Sequence, residues 1–292
     1  MILVAGGTGF VGTKVAHALR AAELPVRVLA RRPEKQDQLR SWGCEVVEGD
    51  MTDAESLRRA VEGCTAVVHL VAILLGRPEE FERIMIQGTR DLVEASKEAG
   101  VARLVLQSAL GTEEGHEITP YYHAKWEEEQ AVKYSGIEHV IFRPSFIFGR
   151  DGGILAQQIK VVRFSPVTPI LGRHRMQPIW VDDVASLFTA AVSSAEAPNR
   201  TFDVGGPDRL TWAELHEQIR RTLGKRRLAF QMPPGLLKAG ATIGQVLPPF
   251  HGARSAVEML DLGDNVGDIG PVTEAYGVRP IGVKEQIRRA VS

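Results

Sequence analysis

Cysteine is scarce. Cys44 and Cys64 are the 2 in 292 residues, and neither sits in a CxxC spacing. That excludes a disulfide framework and a cysteine zinc site, and it fits a reducing compartment. An excess of charge of one sign is also missing: 35 Lys and Arg face 36 Asp and Glu, a formal net charge of −1. No basic field therefore points to nucleic acid. Long hydrophobic runs are absent too, since none reaches the roughly 18 to 20 apolar residues a membrane span needs. The nearest is PPGLLKAGATIGQVLPPF (233–250), which carries Lys238 and prolines at both ends. It reads as a packed helix rather than a membrane-surface one. The first apolar run starts at Ile2 with no basic segment or cleavage site ahead of it, so no secretory leader is expected and the cytoplasm is the expected location. No metal site is expected: His69 has no second ligand at metal spacing and reads as packed.

What is present is an ordinary soluble composition, 44% hydrophobic and 24% charged, long enough for one large domain or two unequal ones. Short apolar runs at 2–5, 26–29, 45–47, 66–70, 103–107, 138–142 and 201–204 read as strands. Helical periods at 11–22, 53–61, 80–99 and 122–135 separate them. The strands are mostly continuous apolar runs, as in a parallel sheet covered on both faces, and the alternation reads as βαβ units. The rhythm breaks after about residue 145. The sheet domain is expected to use 1–145 plus 181–204, and a smaller substrate or docking domain 146–180 plus 205–292. Thr52 with Glu55 and Thr211 with Glu214 form capping-box patterns. Asp182 and Asp183 read as N-caps for the helix that follows. The charges of EEEQ (127–130) and GKRR (224–227) read as exposed.

Between the first strand and first helix lies Gly6-Gly7-Thr8-Gly9-Phe10-Val11-Gly12. It satisfies GxxGxxG and GxGxxG together. A tight strand-to-helix turn needs free dihedrals, and a pyrophosphate can approach backbone only where side chains are missing. The N–H groups opening the helix then meet its charge. In this position the motif predicts dinucleotide binding in a Rossmann-type doubly wound sheet. Strand two ends in VLARRPEK. An NAD-preferring site carries an acid there. Arg31 and Arg32 stand in its place, with Lys35 beyond, and guanidinium groups suit a 2′-phosphate, so NADP(H) is expected ahead of NAD(H). Asp50, after strand three, suits either the adenine amino group or the cap of the next helix.

TPYYHAKWEEEQAV places Tyr121 and Lys125 four residues apart. On a helix they share a face, where an ammonium would favour phenolate and bring a Tyr pKa down toward working pH. Tyr122 has Trp126 at the equivalent spacing and so lacks that partner. Ser108 lies just past strand five, at the carboxyl edge where such sheets bind ligands. His174, between Arg173 and Arg175 in GRHRMQPIW, could face an anionic substrate.

These residues together resemble the short-chain dehydrogenase/reductase superfamily, in its extended or atypical branch of NAD-dependent epimerase/dehydratase-like proteins. The likeness covers essentially the whole chain. It runs nearest to the nucleotide-binding accessory subunit of respiratory complex I and its bacterial relatives, through 233–250 and EMLDLGDNV (258–266). The resemblance implies a catalytic trio: Tyr121 exchanges a proton, Lys125 holds the nicotinamide ribose and lowers the Tyr pKa, and Ser108 orients the substrate oxygen. It also implies cofactor contacts from the glycine turn, Asp50 and Met51, Leu70, Val71 and Ala72, and Pro144, Phe146 and Ile147. Where many members carry Asn, this chain has Gln87. Two functions follow. One is an NADP(H)-dependent oxidoreductase or epimerase-type enzyme acting on a small or lipid-like substrate. The other is a non-catalytic NADPH-binding accessory or assembly protein of complex I or quinone metabolism, peripheral to a membrane through its partner.

Overall fold

The computed structural model describes residues 1–170, 172–194, 196–233, 235, 236, 239, 240 and 253–292. The 233–250 segment, expected as a packed helix, lies largely outside the described residues. Strands β1 (Ile2–Ala5), β2 (Val26–Ala30), β3 (Glu45–Glu48), β4 (Ala66–His69), β5 (Arg103–Gln107) and β6 (Glu138–Pro144) come first. Four short ones follow: β7 (Ile147–Phe148), β8 (Val167–Ile170), β9 (Arg175–Met176) and β10 (Ile179–Trp180). Then come β11 (Arg200–Val204), β12 (Leu210–Thr211) and β13 (Leu228–Gln231). Seven of these form one parallel sheet in the order β11-β6-β5-β4-β1-β2-β3. The order reverses beside β1, so the carboxyl ends of β1 and β4 flank a crevice, the usual ligand position in doubly wound sheets.

Continuous apolar strands make this sheet bury both faces. Val4, Val28, Val68 and Phe142 feed one core cluster; Leu3, Leu29, Val67 and Leu104 feed the other. The period of 2 along each strand sends neighbours to opposite layers. A third cluster, with Phe148, Leu155, Trp180, Trp212 and Ile287, belongs to the segments after residue 145. The helix Gly270–Tyr276, from the same late part of the chain, instead packs through Val272 and Tyr276 onto the main sheet's first cluster. Cys44 and Cys64 are buried free thiols, both pushed up by burial.

Local signals resolve differently from their sequence patterns in two places. The helix Ala54–Val61 is capped by Asp53, which accepts from the Glu55 and Ser56 N–H groups; Thr52 instead donates its hydroxyl to Asp50 at 2.8 Å. Asp53 stands immediately before the first helical residue, where its carboxylate reaches the N2 and N3 N–H groups, while Thr52 lies one residue too early to cap. The helix Val181–Ser193 begins at Val181, so Asp182 and Asp183 fall inside its first turn. Asp182 accepts from the Trp180 indole at 2.8 Å and Asp183 from the Ile281 N–H at 2.9 Å. The Thr211–Glu214 box forms in both directions.

Candidate active site

The glycine turn sits where β1 meets the helix Phe10–Ala21. Gly6 has φ +86°, the left-handed region, and a Cβ there would press on the Leu70 backbone at 2.9 Å. A Cβ on Gly12 would land on the Gly6 carbonyl. These positions admit only glycine without movement of backbone. The helix is entered through Gly9 with no side-chain cap and no acid in its first turn. Its leading N–H groups are left for an anion, so the turn fits the pyrophosphate of a dinucleotide.

The turn forms one end of a cleft of ≈ 640 Å³. Gly6, Gly9, Phe10, Val11 and Gly12 line that end; Leu70, Ala72, Pro144, Phe146 and Ile147 line its flanks. Ser108 and Tyr121 stand in the middle. Of the other residues expected at a cofactor, Gly7, Thr8, Met51 and Val71 are not on this wall. A Cβ on Gly7 would meet Val28, so that glycine serves turn packing. Met51 is buried against Gly88, where a Cβ would lie 2.7 Å from its carbonyl. Arg31 and Arg32 are exposed at the end of β2. Beside them, burial resists ionisation of Asp50. Bonds from the Thr52 N–H and hydroxyl, with the Arg31 charge, outweigh it and hold the carboxyl below its ordinary range. In this structure Asp50 organises its own turn.

The helix Pro120–Lys133 starts at a Thr119 cap, whose hydroxyl accepts from the Tyr122 N–H at 3.2 Å. Tyr121 and Tyr122 both reach the cleft, their rings 5.3 Å apart and edge to face. Lys125 does not line it. Its ammonium is fully buried, 2.8 Å from Glu128 Oε2 and 2.8 Å from the Gln107 carbonyl. Tyr121 is accordingly not the eased phenol the spacing suggests. Burial, then Tyr122 and Glu128, push its pKa up, and burial lifts Tyr122 to about 12.

The EEEQ run is not an exposed face. Glu128 and Glu129 are both 0% exposed. Glu129 takes the Arg143 guanidinium in a fork at 2.8 and 2.7 Å, Lys133 at 2.8 Å and the Ser108 hydroxyl at 2.6 Å. Burial opposes its ionisation, and Arg143 leads the partners that overcome it, so its carboxyl stays below the usual range. Ser108 thus commits its proton to the buried Glu129 and keeps its oxygen as an acceptor. His69 is fully buried with Nε2 2.8 Å from the Thr89 hydroxyl; burial, with Lys125 nearby, pushes it down to about 3. Gln87 is exposed and donates to Asp91 at 2.8 Å, on a π-helical stretch Glu82–Gln87. His174 and Arg175 reach the far wall, but Arg175 is held by Asp264 at 2.7 Å and donates its backbone N–H to the same carboxylate. Arg175 is therefore already paired rather than waiting for an anion.

Residues that the sequence did not single out finish the far end. Leu74, Leu75, Leu110, Ile154, Trp212 and Met259 make it apolar. Asn265 ties this wall together: its amide donates to the Leu110 carbonyl at 3.0 Å and accepts from the Ser145 hydroxyl at 2.6 Å. Met259 and Asn265 lie within the 258–266 stretch that carried the subgroup likeness.

Residues 6–194 match the model of a family described as NAD(P)H-binding. The chain belongs to this NAD(P)H-binding family. A (4-alkanoyl-5-oxo-2,5-dihydrofuran-3-yl)methyl phosphate reductase of Streptomyces griseus is 34% identical over 225 residues, 77% of this chain and 74% of that protein. Subunit 9 of the mitochondrial NADH dehydrogenase (ubiquinone) 1 alpha subcomplex of Mus musculus is 28% identical across 95% of this chain and 76% of its own. A crystal structure of an NADPH-dependent quinone oxidoreductase from Escherichia coli, complexed with NADPH, superposes with a TM-score of 0.82. It covers 100% of both chains at 19% identity, a likeness of fold. This NAD(P)H-binding chain thus has reductases and a respiratory-complex subunit among its relatives. No helix among the described residues is long and apolar enough to cross a membrane.

Proposed function

We propose that this protein is an NADPH-dependent reductase of a small or lipid-like apolar substrate. The observation that carries the reading is one continuous cleft. The glycine turn opens it, Ser108 and Tyr121 stand at its middle, and an apolar wall closes it. NADPH, when bound, supplies hydride. In this reading Tyr121 gives a proton to the substrate oxygen, supported by its position on the cleft lining, and Ser108, whose proton goes to Glu129, accepts from a hydroxyl of the substrate or cofactor. Arg31 and Arg32 support NADPH over NADH by charge. The predominance of Leu74, Leu75, Leu110, Ile154, Trp212 and Met259 in the lining favours a ketone, aldehyde or quinone on a hydrophobic frame over the nucleotide-sugar of an epimerase. The Streptomyces griseus relative, named a reductase, supports the same chemistry.

A second reading, an NADPH-binding accessory or assembly protein docked on a respiratory complex, is favoured by the mouse relative's match across nearly the whole chain. The test is to titrate NADPH and NADH, then assay NADPH oxidation against aldehydes, ketones and quinones in the wild type, Arg31→Ala and Tyr121→Phe. The reductase reading expects about a tenfold NADPH loss in Arg31→Ala with NADH unchanged. It expects Tyr121→Phe to lose about 10²-fold or more in turnover while binding NADPH normally. Tight NADPH binding without turnover on any acceptor moves the conclusion to the accessory role.

A further inference from the structure

Lys125 spans from helix to sheet without reaching the cleft: its ammonium bridges the Glu128 carboxylate and the Gln107 carbonyl, each at 2.8 Å, with no solvent exposure on either side chain. The cation that the YxxxK spacing offers to Tyr121 is thus already neutralised by a carboxylate three residues on. We infer that Glu128 withdraws Lys125 from the tyrosine chemistry, leaving Tyr121 to enter the reaction as a neutral phenol that donates its proton.

Among the described residues, the groups acting on Tyr121 besides burial are Tyr122 and Glu128, and neither is a cation. From the sheet, His69 Nε2 stands 4.0 Å from Glu128 Oε1 and is bonded to Thr89, which comes from the helix Gly88–Glu98. Its depressed pKa keeps it neutral. The π-helical stretch packs Met85 and Ile86 against this cluster, both apolar. On the tyrosine's own helix, Tyr122 is a neighbour and Glu129 is committed to Arg143, Lys133 and Ser108. Burial raises Glu128 to about 7 against the pull of Lys125, so the ion pair is complete in the alkaline range where a phenol ionises, and a falling pH protonates Glu128 only where the phenol is already neutral. Arg143 is committed to the Glu129 carboxylate, which it grips through two nitrogens.

The consequence is the protonation state in which Tyr121 enters the reaction, and it rests on the reductase reading above. In reduction, two electrons and one hydrogen reach the substrate carbon as hydride. The Tyr121 O–H bond breaks, its proton joins the substrate oxygen, and the phenolate regains a proton from water in the cleft. Oxidation of the alcohol would require that phenolate as its starting base. Without a facing cation it is scarce at neutral pH.

The chain has 4 tyrosines, so the ionisation can be followed directly. Tyrosine labelled with ¹³C at Cζ is titrated by NMR in the NADPH complex, with Tyr121→Phe assigning the resonance. The wild-type Tyr121 signal is expected to stay in the phenol position beyond the ordinary value near 10. In Glu128→Gln, which frees the Lys125 charge, it is expected to titrate at least about one unit lower than in the wild type. A wild-type Tyr121 that ionises below about pH 9 in the complex overturns the inference, because the cofactor would then have drawn Lys125 out of its pair. The wild-type measurement stands even where Glu128→Gln fails to fold. A silent Tyr121 in a protein that reduces none of the acceptors leaves the ionisation state upheld and sinks the reductase reading alone.

Discussion

Glu129 offers the sharpest test of the network behind the site. Replacing it with Ala leaves the Arg143 guanidinium, 11% exposed, without its forked partner, and Lys133 without its contact. Removing one partner of a buried ion pair costs about 3–5 kcal/mol. Arg143 retains Glu113 at 2.8 Å, a carboxylate 60% exposed, so the lower end, about 3 kcal/mol, applies. For 292 residues that corresponds to a fall of about 5 °C in Tm. The pH dependence carries a sign. The folded pKa of Glu129 lies below its unfolded value. Its contribution is therefore present above about pH 4.5 and is lost as the pH falls through the folded value. Urea unfolding of the wild type and Glu129→Gln at pH 7 and about pH 4 should show a gap that narrows in acid. Glu113→Ala, at the exposed end of the same chain of contacts, should cost no more than about 1 kcal/mol. A Glu129→Ala loss under about 1 kcal/mol at pH 7, or a gap that widens on acidification, refutes the account.

Two further outcomes follow from the same geometry. Gly12→Ala puts a methyl group onto the Gly6 carbonyl. The turn must shift, with a stability loss of about 1–3 kcal/mol and an NADPH affinity loss above about tenfold, both read in one thermal-shift titration. Wild-type affinity in that variant would mean that the turn does not hold the cofactor. His69 keeps its proton off in the folded state, so its stabilisation is complete above about pH 6.5 and is lost as the pH falls toward its folded value of about 3. Between pH 7 and 5 that share amounts to about 2 kcal/mol; it should vanish from the difference between wild type and His69→Gln in urea unfolding, and an unchanged pH slope would contradict it.

The parallel sheet and its glycine turn were legible because both are local. Continuous apolar runs can only be covered strands, and a glycine triplet between strand and helix has few other uses. The same locality explains the reading of Glu128 and Glu129 as exposed. Four polar residues in a row look like a solvated face. What buries them comes from elsewhere: Arg143 from β6, Ser108 from the end of β5 and His69 from the end of β4. Burial of a carboxylate is decided by partners distant in sequence, and no spacing rule holds that information. Tyr121 and Lys125 do share a helix, as their interval requires. Which carboxylate captures the lysine was visible only as an unremarkable acid three positions on. The apolar far wall was hidden for a similar reason, since Trp212, Met259 and Asn265 arrive from late segments, and the 258–266 stretch offered a likeness but no chemistry to place at the cleft.

One aromatic cluster ties the ends of the chain together. Phe142 on the sheet meets Phe188 at 5.1 Å, Phe202 at 6.2 Å and Tyr276 at 5.8 Å between ring centroids. Six of the sheet's seven strands are made early, yet their edge at β6 is not paired until β11 arrives, and this aromatic face is not closed until Tyr276 does. At ribosomal speed that leaves Phe142 waiting on the order of ten seconds for its last neighbour. A nascent chain in that interval presents a sheet edge and a bare aromatic ring, the features that chaperones hold. The nucleotide-binding half is thus not a portable cassette: cut near residue 145, it would carry away the glycine turn but leave behind the strand and rings that close its core.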